Sequence, residues 1–237
     1  IAYAIFRLKN ENFSWDILLK DIVHIYLKYF ALIGISVYLN SKNDIDHNIN
    51  DSMKCLSRNM SEGSWLNIIR NCAASKNLEE LSGYTEVYNA IENGNIKIRC
   101  EFNRIGINTK SMGILSSLVM LRNKLFAHGL TIDKNEKEAA KPIILVLLKI
   151  IIENSYKIFD NELYQIVSHE KRNVKALCLK GVKNFEEKIV NCKELLSNSF
   201  IMSKESKIYP LFPLLFGSHP FGNHKATLID EKNEIIS

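Results

Sequence analysis

The side chains with the clearest chemical potential lie close together, between positions 122 and 128. Arg122 carries a fixed positive charge, because a guanidinium group does not lose its proton in proteins. Asn123 follows directly, and His128 comes six positions after the arginine. An imidazole has an unperturbed pKa of about 6.5, so it can take or give a proton near neutral pH. A fixed cation and a proton-transfer group therefore stand within one short stretch.

The residues around this stretch predict a helix over 112–129, with Thr109 as its cap. At about 100° per residue, its apolar side chains form one broad face, and Arg122 falls in the middle of that face. Asn123 points away from the face, His128 lies at its edge, and Gly129 is a typical helix stop. A charged arginine within an apolar stripe needs a partner, a cleft or a second subunit. We therefore expect a site at this helix.

The spacing resembles the R-x4-6-H signature of the HEPN superfamily (higher eukaryotes and prokaryotes nucleotide-binding). It reads Arg122-Asn123-x4-His128, and Ala127 and Gly129 flank the histidine as in many members of that family. The resemblance implies a helical bundle in which the motif arginine and histidine form a metal-independent endoribonuclease site. In the family this site is usually shared across a two-fold dimer interface.

Cleavage of RNA by its own 2′-hydroxyl needs proton transfer, which the resemblance assigns to His128, and a cation on the developing phosphorane charge, which it assigns to Arg122. In the same interpretation Asn123 orients the histidine or holds a phosphate oxygen, and Lys124 contacts the RNA backbone. Six helical positions put Arg122 and His128 about 120° apart. Two copies facing across a dyad are then expected to bring both pairs into one cleft, giving 2′,3′-cyclic phosphate and 5′-hydroxyl ends.

A purely structural interpretation of the same residues stays open. Arg122 then pairs with a carboxylate between helices. His128 then caps the end of its helix, where the helix dipole favours a cation. Under this alternative the chain is a bundle that binds a nucleotide or a partner protein without cutting RNA.

The composition limits the function only loosely. A net charge of +5 permits an acidic partner such as RNA without requiring one. Five widely spaced cysteines without a CxxC pair indicate neither a disulfide framework nor a zinc ribbon, so we expect a cytoplasmic protein without metal or cofactor. No signal peptide is recognised at the start, and the first residue, Ile1, suggests a fragment of a longer protein.

The first long helix is predicted over 14–39, apolar on nearly every side except for a stripe at Asp16, Lys20, His24 and Lys28. We expect His24 to be solvated or salt-bridged. The longest uncharged run, between Tyr29 and Lys42, is shorter than the roughly 20 apolar residues of a membrane span, so no membrane partner is expected.

The remaining helical elements follow from caps and apolar spacing. Residues 40–50 are predicted to be a polar loop and 52–59 a short helix. Ser61–Ser64 is expected to cap a helix from Trp65 to about 75, with Trp65 in the core, and 78–91 forms another helix. Residues 143–159 are predicted to be a second central helix, with a kink or a fresh start at Pro142.

The sequence pattern changes after position 160, where short β-favouring runs replace the helical spacing of apolar residues. Strands are predicted over 163–169, 174–179, 200–202, 208–212, 226–229 and 234–236, whereas 185–196 is helix or strand. Pro210 and Pro213 confine their run to an edge or a bend. The pair His219 and His224 is weak as a metal site, and a loop is the better interpretation.

These elements predict an α+β fold, with a mainly α-helical HEPN-type bundle over 10–160 and a small β-rich unit over 161–237. The resemblance implies a homodimeric endoribonuclease of a toxin or antiviral defence system, with RNA as its substrate and a further domain or partner protein as a possibility. The alternative is a non-catalytic HEPN interaction or nucleotide-sensing module of a larger protein.

Overall fold

A computed structural model gives the structure of the chain. It describes residues 15–40, 45–57, 60–75, 82–93, 113–126, 134–159, 162–170, 173–178, 186–191, 200–204, 207–210, 216–217, 226–229 and 235–236. The helices are α1 (Trp15–Asn40), α2 (His47–Met53), α3 (Glu62–Ala74), α4 (Ser82–Glu92), α5 (Ile114–Phe126) and α6 (Lys134–Phe159). The strands are β1 (Glu162–Glu170), β2 (Asn173–Cys178), β3 (Glu186–Asn191), β4 (Phe200–Lys204), β5 (Lys207–Pro210), β6 (Phe216–Gly217), β7 (Ala226–Ile229) and β8 (Ile235–Ile236).

The first helix, α1, forms the centre of the helical core, which confirms the helix predicted over 14–39. Every residue from 31 to 38 is buried. A Cβ atom at Gly34 would lie 2.9 Å from Sγ of Cys72, so only glycine lets α1 and α3 approach this closely. At its other contact, the hydroxyl of Tyr26 lies 2.9 Å from Oγ of Ser155 in α6. Helix α1 thus contacts both α3 and α6.

The segment Ile22–Leu39 of α1 has a mean hydropathy of 1.7 and is long and apolar enough to cross a membrane by these two criteria. Of this segment, 72% is buried inside the structure. The core helix of a soluble protein passes the same test. The expected absence of a membrane partner stays a prediction.

The loop predicted over 40–50 was wrong for its last part, because α2 begins at His47. The carboxylate of Asp46 accepts hydrogen bonds from the backbone N–H groups of Asn48 and Ile49, which makes it the N-cap. Ile49 is fully buried. An N-cap residue and one buried side chain are thus enough to start a helix in a segment whose composition is typical of a loop.

The prediction of a second central helix over 143–159 was wrong in part. One face of α6 is buried, whereas Leu145, Val146 and Ile152 are 44%, 47% and 39% exposed. The helix also runs through Pro142 without a fresh start. Pro142 is exposed, so the carbonyl group that loses its helical hydrogen bond at this position can be hydrated.

The antiparallel strands β1–β5 form a sheet of order β3-β2-β1-β4-β5. Segment 185–196, left open as helix or strand, contains β3. Pro210 ends β5 at the sheet edge, which confirms the edge position predicted for it. The inner face of this sheet has its own small core, formed by Tyr164, Ile166, Val174, Ala176 and Cys178.

A second group of strands, β6-β7-β8, follows, and β6 was not predicted. The described residues thus change from helix to strand between Phe159 and Glu162. This confirms a mostly helical part followed by antiparallel β-structure. The domain limits 10–160 and 161–237 stay predictions.

Candidate functional site

A buried carboxylate at the start of α3 is the centre of the site. Ser61 caps the helix by accepting a hydrogen bond from the backbone N–H of Ser64 at 3.1 Å. Helix α3 therefore begins at Glu62, three residues before the predicted start at Trp65. Glu62 is only 8% exposed, and the helix dipole favours a negative charge in the first turn. Trp65 is 2% exposed, as predicted for a core residue.

Arg122 of α5 faces this carboxylate. Its Nη2 lies 2.8 Å from Oε1 of Glu62, and the two side chains are 14% and 11% exposed. Its Nη1 donates a hydrogen bond to Oδ1 of Asn123 at 2.9 Å. The Nε atom is buried and has no hydrogen-bond partner among the described residues. The guanidinium is thus held from two sides, by Glu62 and by Asn123.

His24 of α1 approaches the same carboxylate oxygen. Its Nδ1 lies 3.5 Å from Oε1 of Glu62, and its side chain is 42% exposed. The contact agrees with the salt-bridged environment expected for His24. Lys28, one turn further along the polar stripe, lies with its Nζ 6.0 Å from the ring centroid of Trp65, and burial lowers its pKa. Along the stripe, Lys20 is therefore exposed and Lys28 is partly buried.

An open cleft of about 450 Å³ lies over these side chains. Its volume is within the range of small-molecule sites, about 300–1,000 Å³. Two cations, those of Lys20 and Arg122, stand against one carboxylate in its wall, which favours an anionic ligand. The cleft is lined by Lys20, His24, Ile25, Met60, Glu62 and Arg122.

The structure describes some of the predicted site residues and not others. Arg122 and Asn123 lie together, and Oδ1 of Asn123 accepts a hydrogen bond from the guanidinium of Arg122. His128 and the side chain of Lys124 lie outside the described residues, so their predicted roles stay predictions. The carboxylate between helices that the structural interpretation required is Glu62.

Sequence reasoning did not assign Lys20, His24 and Glu62 to the site. A signal was present in α1, because Lys20 and His24 belong to the only polar stripe of an otherwise apolar helix. Glu62 was considered only as part of a turn. Its role depends on the packing of α3 against α5, which no local pattern reveals.

No group of three or more histidine, cysteine or acidic side chains that could hold a metal ion occurs in the part of the chain that the structure describes. His219 and His224, the weak metal pair of the sequence, lie outside that part. The expectation that the protein uses no metal or cofactor stays a prediction.

Comparison of the chain with protein-family models, with curated proteins and with solved structures gives no match.

Proposed function

We propose that the chain is a metal-independent endoribonuclease of HEPN type. The observation that carries the proposal is the position of Arg122, which lines an open cleft together with Lys20 and His24. The motif resemblance supplies His128 as the proton-transfer group and RNA as the substrate. The products are then a 2′,3′-cyclic phosphate and a 5′-hydroxyl.

The charges of the cleft support this chemistry. A guanidinium has five N–H donors, and the contacts of Arg122 with Glu62 and Asn123 use only two of them. Burial of most of the side chain fixes its orientation before substrate binds. A preoriented cation of this kind stabilises the charge that develops on phosphorus at little cost of reorganisation. Lys20, at the exposed end of the stripe, contributes a second charge toward the RNA backbone.

The proposal extends to the assembly and setting of the protein, which rest on the resemblance. The chain acts as a cytoplasmic homodimer whose two motifs share a cleft, as a toxin or as the effector of an antiviral defence system. Light scattering on the purified chain measures the mass of the assembly. A monomeric mass at assay concentration contradicts the shared cleft.

The test is incubation of the purified chain with end-labelled single-stranded RNA in EDTA, beside Arg122→Ala and His128→Ala. We expect the parent alone to cleave, leaving cyclic-phosphate ends, with each variant slower by about 10²-fold or more. Retained cleavage by His128→Ala overturns the proposal.

Two matched controls separate the motif from a general loss of basic side chains. Arg70→Ala removes an exposed arginine of α3 that bonds Oγ of Ser116, and His47→Ala removes an exposed histidine of α2. Neither residue lines the cleft. Both controls are expected to cleave at the parent rate, and circular dichroism of all four variants verifies their folding.

A second candidate is a non-catalytic HEPN interaction or nucleotide-sensing module. The observation that favours it is the 2.8 Å contact between Arg122 and Glu62, since a structural arginine between two helices makes the same contact. Under this function no variant cleaves RNA, and Arg122→Ala lowers the stability of the fold. A folded, dimeric parent that leaves RNA intact moves the assignment to this module.

A further inference from the structure

We propose that His24 is a second catalytic imidazole of the cleft and acts as the general base that takes the proton of the RNA 2′-hydroxyl. The inference rests on the proposed ribonuclease function and adds a residue outside the R-x4-6-H motif. It starts from the position of His24 on α1, where it lines the same cleft as Arg122.

The contact with Glu62 selects the tautomer of His24. A carboxylate 3.5 Å from Nδ1 favours the form that carries its proton on Nδ1. The other ring nitrogen, Nε2, lies on the opposite side of the imidazole and then has a free lone pair, which is what a general base requires. Catalytic histidines beside a carboxylate are oriented in the same way, and such contacts are often long before substrate binds.

The shared carboxylate also sets the distance between the base and the cation. Nδ1 of His24 and Nη2 of Arg122 both approach Oε1 of Glu62, at 3.5 and 2.8 Å. These two nitrogens are therefore at most 6.3 Å apart, because both contact the same oxygen atom. Because both side chains also line the same cleft, one ribose with its 3′-phosphate can contact both of them, so base and cation serve the same reacting group.

The chemical step then balances without a metal. Nε2 of His24 takes the proton of the 2′-hydroxyl, and the 2′-oxygen forms a bond to phosphorus. The bond between phosphorus and the 5′-oxygen breaks, and that oxygen takes a proton from His128. Arg122 holds the charge on the phosphorane oxygens. Glu62 acts as a positioning residue for both His24 and Arg122.

A salt bridge alone makes a different prediction for the same residue. His24 is 42% exposed, so water screens its contact with Glu62, and the contact contributes little to stability. Removal of the imidazole is therefore expected to leave the melting temperature nearly unchanged under either role. Only a base loses activity at the same time.

The experiment compares the parent with His24→Asn and the control His47→Ala on end-labelled RNA in EDTA. The amide of His24→Asn can still face Glu62 but cannot exchange a proton, so cleavage is expected to fall by about 10²–10⁴-fold. His47→Ala keeps the parent rate. Binding of a 2′-deoxy analogue of the RNA, measured by fluorescence anisotropy, should change less than threefold in His24→Asn, because the base acts on a group that the analogue lacks.

A substrate with sulfur in place of the bridging 5′-oxygen separates base from acid, since a thiolate leaves without being protonated. We expect this substrate to restore cleavage by His128→Ala and not by His24→Asn. Cleavage by His24→Asn that is within threefold of the parent on ordinary RNA overturns the inference. Restoration of His24→Asn by the sulfur substrate overturns its assignment as the base.

The failures remain distinguishable. A parent that cleaves RNA together with an active His24→Asn leaves the ribonuclease in place and removes only the role of His24. A parent that does not cleave overturns the ribonuclease and the role of His24 together. If His24→Asn fails to fold, His24→Ala with added imidazole replaces it, and recovery of cleavage by free imidazole supports the base.

Discussion

Two ion pairs of almost equal length lie in different surroundings in this protein. The Arg122–Glu62 pair of the helical part measures 2.8 Å, and its side chains are 14% and 11% exposed. The Lys175–Glu187 pair of the sheet measures 2.7 Å, and its side chains are 46% and 55% exposed. Because water screens the second pair and is largely excluded from the first, distance alone does not give the strength of either. The Arg122–Glu62 pair is thus shielded from solvent, whereas the Lys175–Glu187 pair is exposed to it.

The largest effect is expected from Glu62→Ala. The variant leaves the guanidinium of Arg122 mostly buried without its carboxylate, and an uncompensated buried charge costs about 3 kcal/mol of unfolding free energy. Urea denaturation followed by circular dichroism measures the change. A loss below about 1 kcal/mol would mean that this pair contributes as little to stability as the exposed pair of the sheet, which would contradict the comparison.

The helical part also contains a partly buried tyrosine, Tyr29, whose ionisation is tested at high pH. Burial raises the pKa of Tyr29 to about 12. Tyrosine in an unfolded chain ionises near pH 10, so the unfolded state releases this proton first and stability falls between pH 10 and about 12. On going from about pH 8 to pH 11, Tyr29→Phe should lose about 1.4 kcal/mol less than the parent. Urea denaturation measures the unfolding free energy at both pH values. Equal losses in the parent and in Tyr29→Phe would contradict the raised pKa of Tyr29.

Replacement of the whole buried pair should cost less than breaking it. In Arg122→Met combined with Glu62→Leu, no charge is left buried, and apolar residues of similar volume fill the site. We expect an unfolding free energy within about 1 kcal/mol of the parent, with the single variants as the other corners of the cycle. A double variant as unstable as Glu62→Ala would show that packing, and not the charge, dominates.

The smallest effect is expected in the sheet. Lys175→Ala breaks an exposed cross-strand pair between β2 and β3, at a cost of about 0.5 kcal/mol or less. The difference from the parent should shrink further at high salt, because screening already weakens this pair. If Lys175→Ala lost nearly as much unfolding free energy as Glu62→Ala, exposure to solvent would not explain the difference between the two ion pairs.

Local signals in the sequence predicted most of the elements. The apolar spacing of α1 and the alternation in β1 and β2 need no tertiary information, and Pro210 correctly predicted an edge. The start of α2 was missed because one aspartate, Asp46, caps a segment of loop-like composition. Helix α6 was predicted to be too central, because apolar composition does not say which side chains lack a covering partner.

The candidate site was predictable only in part. An arginine within an apolar face required a partner, and a carboxylate was among the expected partners. Its identity as Glu62, and the approach of His24 to the same oxygen, depend on the packing of three helices from distant parts of the chain. Contacts between distant segments of this kind produce no periodic pattern in a single sequence, so they could not be predicted from it.

The hydrogen bond between Tyr26 and Ser155 has a consequence for synthesis of the protein. The two residues are 129 positions apart in the chain. At ribosomal rates of about 5–20 residues per second, α1 leaves the ribosome roughly 6–26 s before its partner in α6. During that interval the hydroxyl of Tyr26 lacks the Ser155 partner that it has in the folded protein. This buried polar contact can therefore form only after α6 has left the ribosome, late in the synthesis of the chain.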